Sequence, residues 1–178
     1  MSSIPGLERP APVPNEQTKP FWDACNERRL VLQNCTACQR LHYPPTQKCS
    51  KCGSADKLEW KAVEGKGHID VYFVIRDSRI RGFRSAQPIN FALITLDQDP
   101  GINFLSNLPG TPPGEVPVGA PVEVMFEQTS TGQLIPEWRV LSPAPRGGAG
   151  RGSAADGVSS PPSQGGAGRG SAADGAVS

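Results

Sequence analysis

Charge of one sign is missing from this 178-residue chain, in which 18 Lys and Arg stand against 17 Asp and Glu. Arg146, Arg151, Arg169, Asp156 and Asp174 lie beyond residue 142, and the remainder balances at 15 of each sign. A module that grips phosphate backbones non-specifically carries a basic excess, so the balance argues against one. Histidine is scarce, with two in all. No carboxylate pair stands at a recognisable catalytic spacing and no nucleophile has an activating neighbour, so the usual marks of a catalyst are missing. No run is long and apolar enough to span a membrane, and the first residues lack the charged-then-apolar order of an export signal. The expected location is the cytoplasm, where thiols stay reduced and open to metal.

Cysteine, by contrast, comes in a pattern. Cys35-Thr36-Ala37-Cys38 and Cys49-Ser50-Lys51-Cys52 are two C-x-x-C knuckles ten residues apart. Each turn lets two thiolates converge on one ion, and two such turns complete a tetrahedral four-sulfur zinc site. Such a site has no open position for water or substrate, so the ion is expected to hold structure. A redox pair uses the same spacing, but two pairs at ribbon spacing favour metal over disulfide chemistry. Arg40, Lys48 and Lys51 flank the cluster and would offset its negative charge. His42 is an alternative ligand that the four cysteines make unnecessary. Cys25, with no histidine near it in sequence, reads as a small buried apolar residue and not as a nucleophile.

Around the knuckles the chain divides. A flexible, Pro-rich, polar arm is expected over residues 1–16, and a helix with a lead-in strand over 17–34. That helix has Thr18 as a possible cap, Pro20 in the first turn, Asp23 near the positive dipole end, and Phe21, Trp22 and Cys25 on one side. The zinc ribbon occupies 35–57. From 58 to 142 the period changes to two: His68 to Arg76 alternates with Val71, Phe73 and Ile75 on one face. Further strands follow at Phe91 to Leu96, Ile102 to Leu105, Val122 to Phe126 and Ile135 to Val140. Gly65 and Gly67 suit a bulge or sharp coil at the start of the first strand. Five short strands after a small metal module point to a mainly β protein ending in an OB-type barrel. Residues 143–178 are expected to be a disordered tail, where Gly147 to Gly157 recurs as Gly165 to Gly175 with nothing large to bury. Arg76, Arg79, Arg81 and Arg84 crowd the link between the first two strands, and planar guanidinium forks there suit a nucleotide-like phosphate or an acidic protein surface.

Several of these segments, taken in order, resemble a known family. They are Phe21-Trp22, Leu32-Gln33-Asn34-Cys35-x-x-Cys38, Tyr43-Pro44-Pro45, Cys49-x-x-Cys52-Gly53-Ser54, Leu58-Glu59-Trp60, Gly65-Lys66-Gly67, Leu105-Ser106-Asn107 and Val118 to Val124. The family pairs a rubredoxin-like zinc ribbon with an OB fold, is associated with acyl-CoA enzymes and is catalogued as domain of unknown function 35. The resemblance covers roughly residues 17 to 142, with Gln39 where a glycine is usual and Ser50 where a proline is usual. It implies a non-catalytic accessory subunit that assembles with a thiolase-like or hydratase enzyme and helps form its acyl-CoA site, with a coenzyme A thioester as shared ligand. On that reading Arg79, Arg81 and Arg84 face the CoA phosphates or the partner, and the helix carrying Phe21 and Trp22 packs on the ribbon or docks the partner. The rivals are a single-stranded nucleic-acid module, with Tyr72 and Phe83 as its stacking aromatics, and a stand-alone acyl-CoA carrier or enzyme.

Overall fold

The helix expected around Phe21 forms as α1 over Lys19–Asn26, in a computed structural model that describes residues 9–141. Pro20 sits in its first turn, where a missing N–H costs nothing. Thr18 does not cap it with its side chain. Asn15 closes the entry, accepting the Thr18 N–H on Oδ1 at 2.9 Å and the Lys19 N–H on its carbonyl at 2.7 Å. Asp23 pairs with Lys19 one turn back at 2.6 Å. Phe21, Ala24 and Cys25 form the buried face, and burial pushes the Cys25 thiol up to about 12. A thiol so hard to ionise is a packing group.

Three strands follow: β1 (Val31–Cys35), β2 (Leu41–His42) and β3 (Leu58–Ala62), in the order β2-β1-β3. Residues 58–62 fall in the stretch expected to form the barrel, yet β3 pairs with β1 from Val31↔Ala62 to Cys35↔Leu58. The chain leaving the second knuckle must run back along β1, so this strand belongs to the ribbon sheet.

The five later strands form as expected: β4 (Lys66–Ile75), β5 (Ile89–Leu96), β6 (Asp99–Ser106), β7 (Pro121–Gln128) and β8 (Leu134–Val140). A four-residue helix α2 (Arg81–Arg84) lies between β4 and β5. All pairs are antiparallel in the order β6-β5-β4-β7-β8. The sheet curls in the OB manner until β6 approaches β8. There the link is made by side chain: Ser106 Oγ accepts the Trp138 N–H at 3.0 Å and donates to Glu137 Oε2 at 2.5 Å. Gly65 allows the sharp entry into β4. Its φ is +67°, and a Cβ there would stand 2.3 Å from Val124 Cγ1. The bulge itself falls at Asp70, where the register passes from Ile69↔Ile94 to Val71↔Leu93.

Ribbon, helix and barrel share one core. Phe21 touches Tyr43 (ring centroids 5.7 Å), Tyr43 lies 4.1 Å from Phe104, and Phe104 lies 5.5 Å from Trp138 inside the barrel. Each such aromatic pair adds roughly 0.5–1.5 kcal/mol beyond its buried area. Leu30, Leu32, Ile69, Ile94 and Val122 complete the same cluster. The arm expected over 1–16 is described from Arg9 onward, and there it is anchored: Arg9 is buried and ion-paired to Glu127 and Glu137. Residues 1–8 and the tail expected over 143–178 lie outside the described residues.

Candidate metal centre

The two knuckles are copies of one turn. In the first, the Gln39 N–H donates to the Cys35 carbonyl at 2.7 Å and the Cys35 N–H to the Arg40 carbonyl at 2.9 Å. In the second, Gly53 N–H to Cys49 carbonyl and Cys49 N–H to Ser54 carbonyl both measure 2.9 Å. Gln39 therefore occupies the position held by Gly53, and its φ of +59° matches the +76° of Gly53. The turn geometry survives the substitution of glycine at the cost of a left-handed side-chain-bearing residue, which the bond from Gln39 Nε2 to the Thr36 carbonyl at 3.0 Å partly offsets.

These turns bring the sulfurs of Cys35, Cys38, Cys49 and Cys52 within 4.8 Å of one another. Cys35 to Cys52 and Cys38 to Cys49 are each 3.5 Å. A tetrahedron with metal–sulfur bonds of about 2.3 Å has edges near 3.8 Å, so the cluster fits a zinc ion once the separations adjust by up to about 1 Å. The Ser54 hydroxyl, 3.4 Å from the sulfur, and then the Ser54 backbone N–H bring the Cys52 thiol down to about 6. The Lys51 N–H points at Cys49 Sγ from 3.4 Å. Four thiolates this close require a divalent cation, which would supply charge balance and cross-linking of the knuckles to β1. Arg40, Lys48 and Lys51 are exposed around the cluster. His42 is buried outside the sulfur cluster, its imidazole disfavoured as a cation by burial and then by Arg40.

The other sequence candidates stand elsewhere. Phe21 is only 3 % exposed and packs edge-on against Trp22 at 4.8 Å, so of the two aromatics only the half-buried Trp22 keeps surface. Arg79, Arg81 and Arg84 lie on the β4–β5 connection of the barrel, not on the ribbon. All three are exposed, as is Arg76, and none has an ion pair among the described residues. Tyr72 pairs with the buried Ala92 and packs against the core, so it is no surface platform. Sequence reasoning missed Ser54 as a modulator of Cys52, although a hydroxyl two residues after a ligand is a legible signal. It also missed Arg9, for which the Pro-rich arm offers none.

Two family models match this arrangement in tandem: the ChsH2 rubredoxin-like zinc ribbon domain over residues 22–59 and the ChsH2 C-terminal OB-fold domain over residues 60–127. The chain belongs to the ChsH2 family. Among solved structures, the "Ltp2-ChsH2(DUF35) aldolase" aligns with 98 % of its chain and 73 % of this one, at 28 % identity and a TM-score of 0.65. A DUF35-family protein of unknown function from Sulfolobus solfataricus, 21 % identical over 71 % of this chain and 86 % of its own, shares the fold at a TM-score of 0.50. A "probable enoyl-CoA hydratase alpha subunit" of Thermomonospora curvata is 32 % identical over 141 residues, 78 % of this chain. The chain spans 42 % of that relative's length. Among the described residues no helix is long and apolar enough to cross a membrane.

Proposed function

We propose that this ChsH2-family chain is a zinc-holding accessory subunit of an acyl-CoA-processing complex with thiolase- or aldolase-type C–C bond chemistry. In that complex it stabilises the catalytic partner and helps form its acyl-CoA site. The observation that carries the reading is the sulfur cluster. Its four ligands fill a tetrahedral ion, which makes the metal a staple for a scaffold, and the shared aromatic core passes that rigidity into the barrel. The solved relative that aligns over nearly its whole chain is an Ltp2-ChsH2(DUF35) aldolase, and the likeness to a probable enoyl-CoA hydratase alpha subunit supports an acyl-CoA thioester as the ligand class. Arg79, Arg81, Arg84 and Trp22 are the surface groups offered to CoA phosphates or to the partner.

The test is co-expression of the full chain with a thiolase-type subunit encoded beside it. The expected result is co-elution as one species whose acyl-CoA C–C activity falls at least tenfold when this chain is omitted. A catalytic subunit that is stable and fully active alone refutes the reading.

A further inference from the structure

We infer that the outer face of β4, β5 and β6, together with the arginine loop that adjoins it, is the surface on which the catalytic subunit docks. The inference rests on the accessory-subunit reading and adds where the partner sits and by what chemistry. Its origin is the bulge at Asp70. Ile69 and Ile94 pair inside the barrel, both at most 1 % exposed. One extra residue in β4 then brings Val71 opposite Leu93 and Phe73 opposite Phe91, so both β4 side chains face outward. Leu105 of β6 lies opposite Leu93, which makes Val71, Leu93 and Leu105 an apolar row across three strands. Phe73 and Phe91 stack beside it, 5.7 Å apart and 12° from parallel.

Water is an expensive neighbour for this face. Val71 is 54 % exposed, Phe73 48 %, Leu105 62 % and Ile80 of the adjoining loop 54 %, four of the six exposed large apolar residues among those described. A contiguous patch of this kind on a barrel wall marks an interaction site. The occupant follows from charge. At the loop end stand Arg76, Arg79, Arg81 and Arg84 against a single Asp77, all exposed. Arginines with no ion pair among the described residues, at the rim of an apolar patch, call for carboxylates on the opposing surface. The partner is therefore a folded protein with an apolar centre and an acidic rim. A small CoA-like ligand would need concavity, and a groove of about 950 Å³ that could offer it is lined by Arg28, Met125 and Gln133 on other segments. For single-stranded nucleic acid the rings would have to splay, whereas Phe73 and Phe91 pack on each other and the rest of the row is aliphatic.

The experiment uses the full chain with the thiolase-type subunit. Phe73→Asp and Leu105→Asp are compared with wild type by titration of the two subunits, after zinc content and thermal unfolding show each variant folded. A third variant reverses Arg79, Arg81 and Arg84 to Glu. The expected result is association weakened roughly thirtyfold or more by either apolar substitution, and for the arginine variant a slower association rate that rises with added salt where the wild-type rate falls. Hydrogen exchange should slow in β5 and β6 of the wild-type complex. Wild-type binding with unchanged variants overturns this assignment and leaves the accessory role standing. A wild type that binds no such subunit overturns both. Two further outcomes also overturn it: a labelled single-stranded oligonucleotide bound by wild type and lost in Phe73→Asp, or a self-association that the same substitution abolishes.

Discussion

Replacing Arg9 by Met should cost this protein several kcal/mol, a large share of the roughly 5–15 kcal/mol that holds a domain together. The Arg9 guanidinium donates through Nε to Glu127 Oε2 at 2.6 Å and through Nη1 to Asn107 Oδ1 at 2.5 Å and to Glu137 Oε1. Its side chain is 5 % exposed, with Glu127 at 3 % and Glu137 at 9 %. Removing one member of a buried pair costs roughly 3–5 kcal/mol, because the other charge stays out of water; here two carboxylates are left facing each other. Glu137 limits the damage. Burial pushes its carboxyl up to about 7 although Arg9 and the Ser106 hydroxyl pull the other way. A folded-state value above the unfolded 4.5 means that the native state binds more protons between those two pH values. Stability therefore falls as pH rises through that window, by roughly 3 kcal/mol in all. Without Arg9 the proton is held more tightly still, so the Met variant should lose less at about pH 5, where Glu137 is neutral, than at about pH 8. Urea unfolding of wild type, Arg9→Met and Glu137→Gln at both pH values measures this, and the Gln variant should flatten the dependence. An Arg9→Met protein within about 1 kcal/mol of wild type would refute the anchored arm.

The sulfur cluster should hold one zinc per chain by elemental analysis; chelation, or Cys49→Ser, should melt the β1–β3 sheet and collapse the near-ultraviolet signal of Trp60, since structural zinc contributes of order 10 kcal/mol to such modules. Gln39→Gly should raise stability by about 0.5–1 kcal/mol in thermal unfolding, by releasing a left-handed glutamine at the position Gly53 fills in the twin turn. Gly65→Ala should lower it by about 2 kcal/mol or more, because the new methyl meets Val124 and the φ of +67° disfavours any side chain.

The ease with which parts of this molecule were read from sequence tracks how far apart the cooperating residues lie. The metal centre is spelled within a short segment, its outermost ligands seventeen positions apart. Each knuckle is a turn whose hydrogen bonds close over four or five residues, so spacing alone carried the geometry. The barrel strands announced themselves locally, by alternation in β4 and β7, by an almost unbroken apolar run in β5, and by the glycines between strands. Arg9 could not be read in this way: its carboxylate partners are 118 and 128 positions away, and nothing in a Pro-rich arm says that its arginine will be buried.

Which face of β4 points inward is illegible for a different reason. From Ile69 to Ile75 the strand offers apolar residues at both parities, with Tyr72 and Val74 as fit for the interior as Val71 and Phe73. Alternation then cannot choose a face, and the one-residue bulge at Asp70 decides it. Asp70 is held in that bulge by the Thr95 hydroxyl, which also bonds Asn103 Oδ1 at 2.7 Å, so the choice is made by a polar bridge across three strands. A plain strand would have buried Val71 and Phe73 and turned Tyr72 and Val74 outward. The apolar outer wall is thus a built feature of the barrel, and the same Asp70 that breaks the register creates the surface a partner can use.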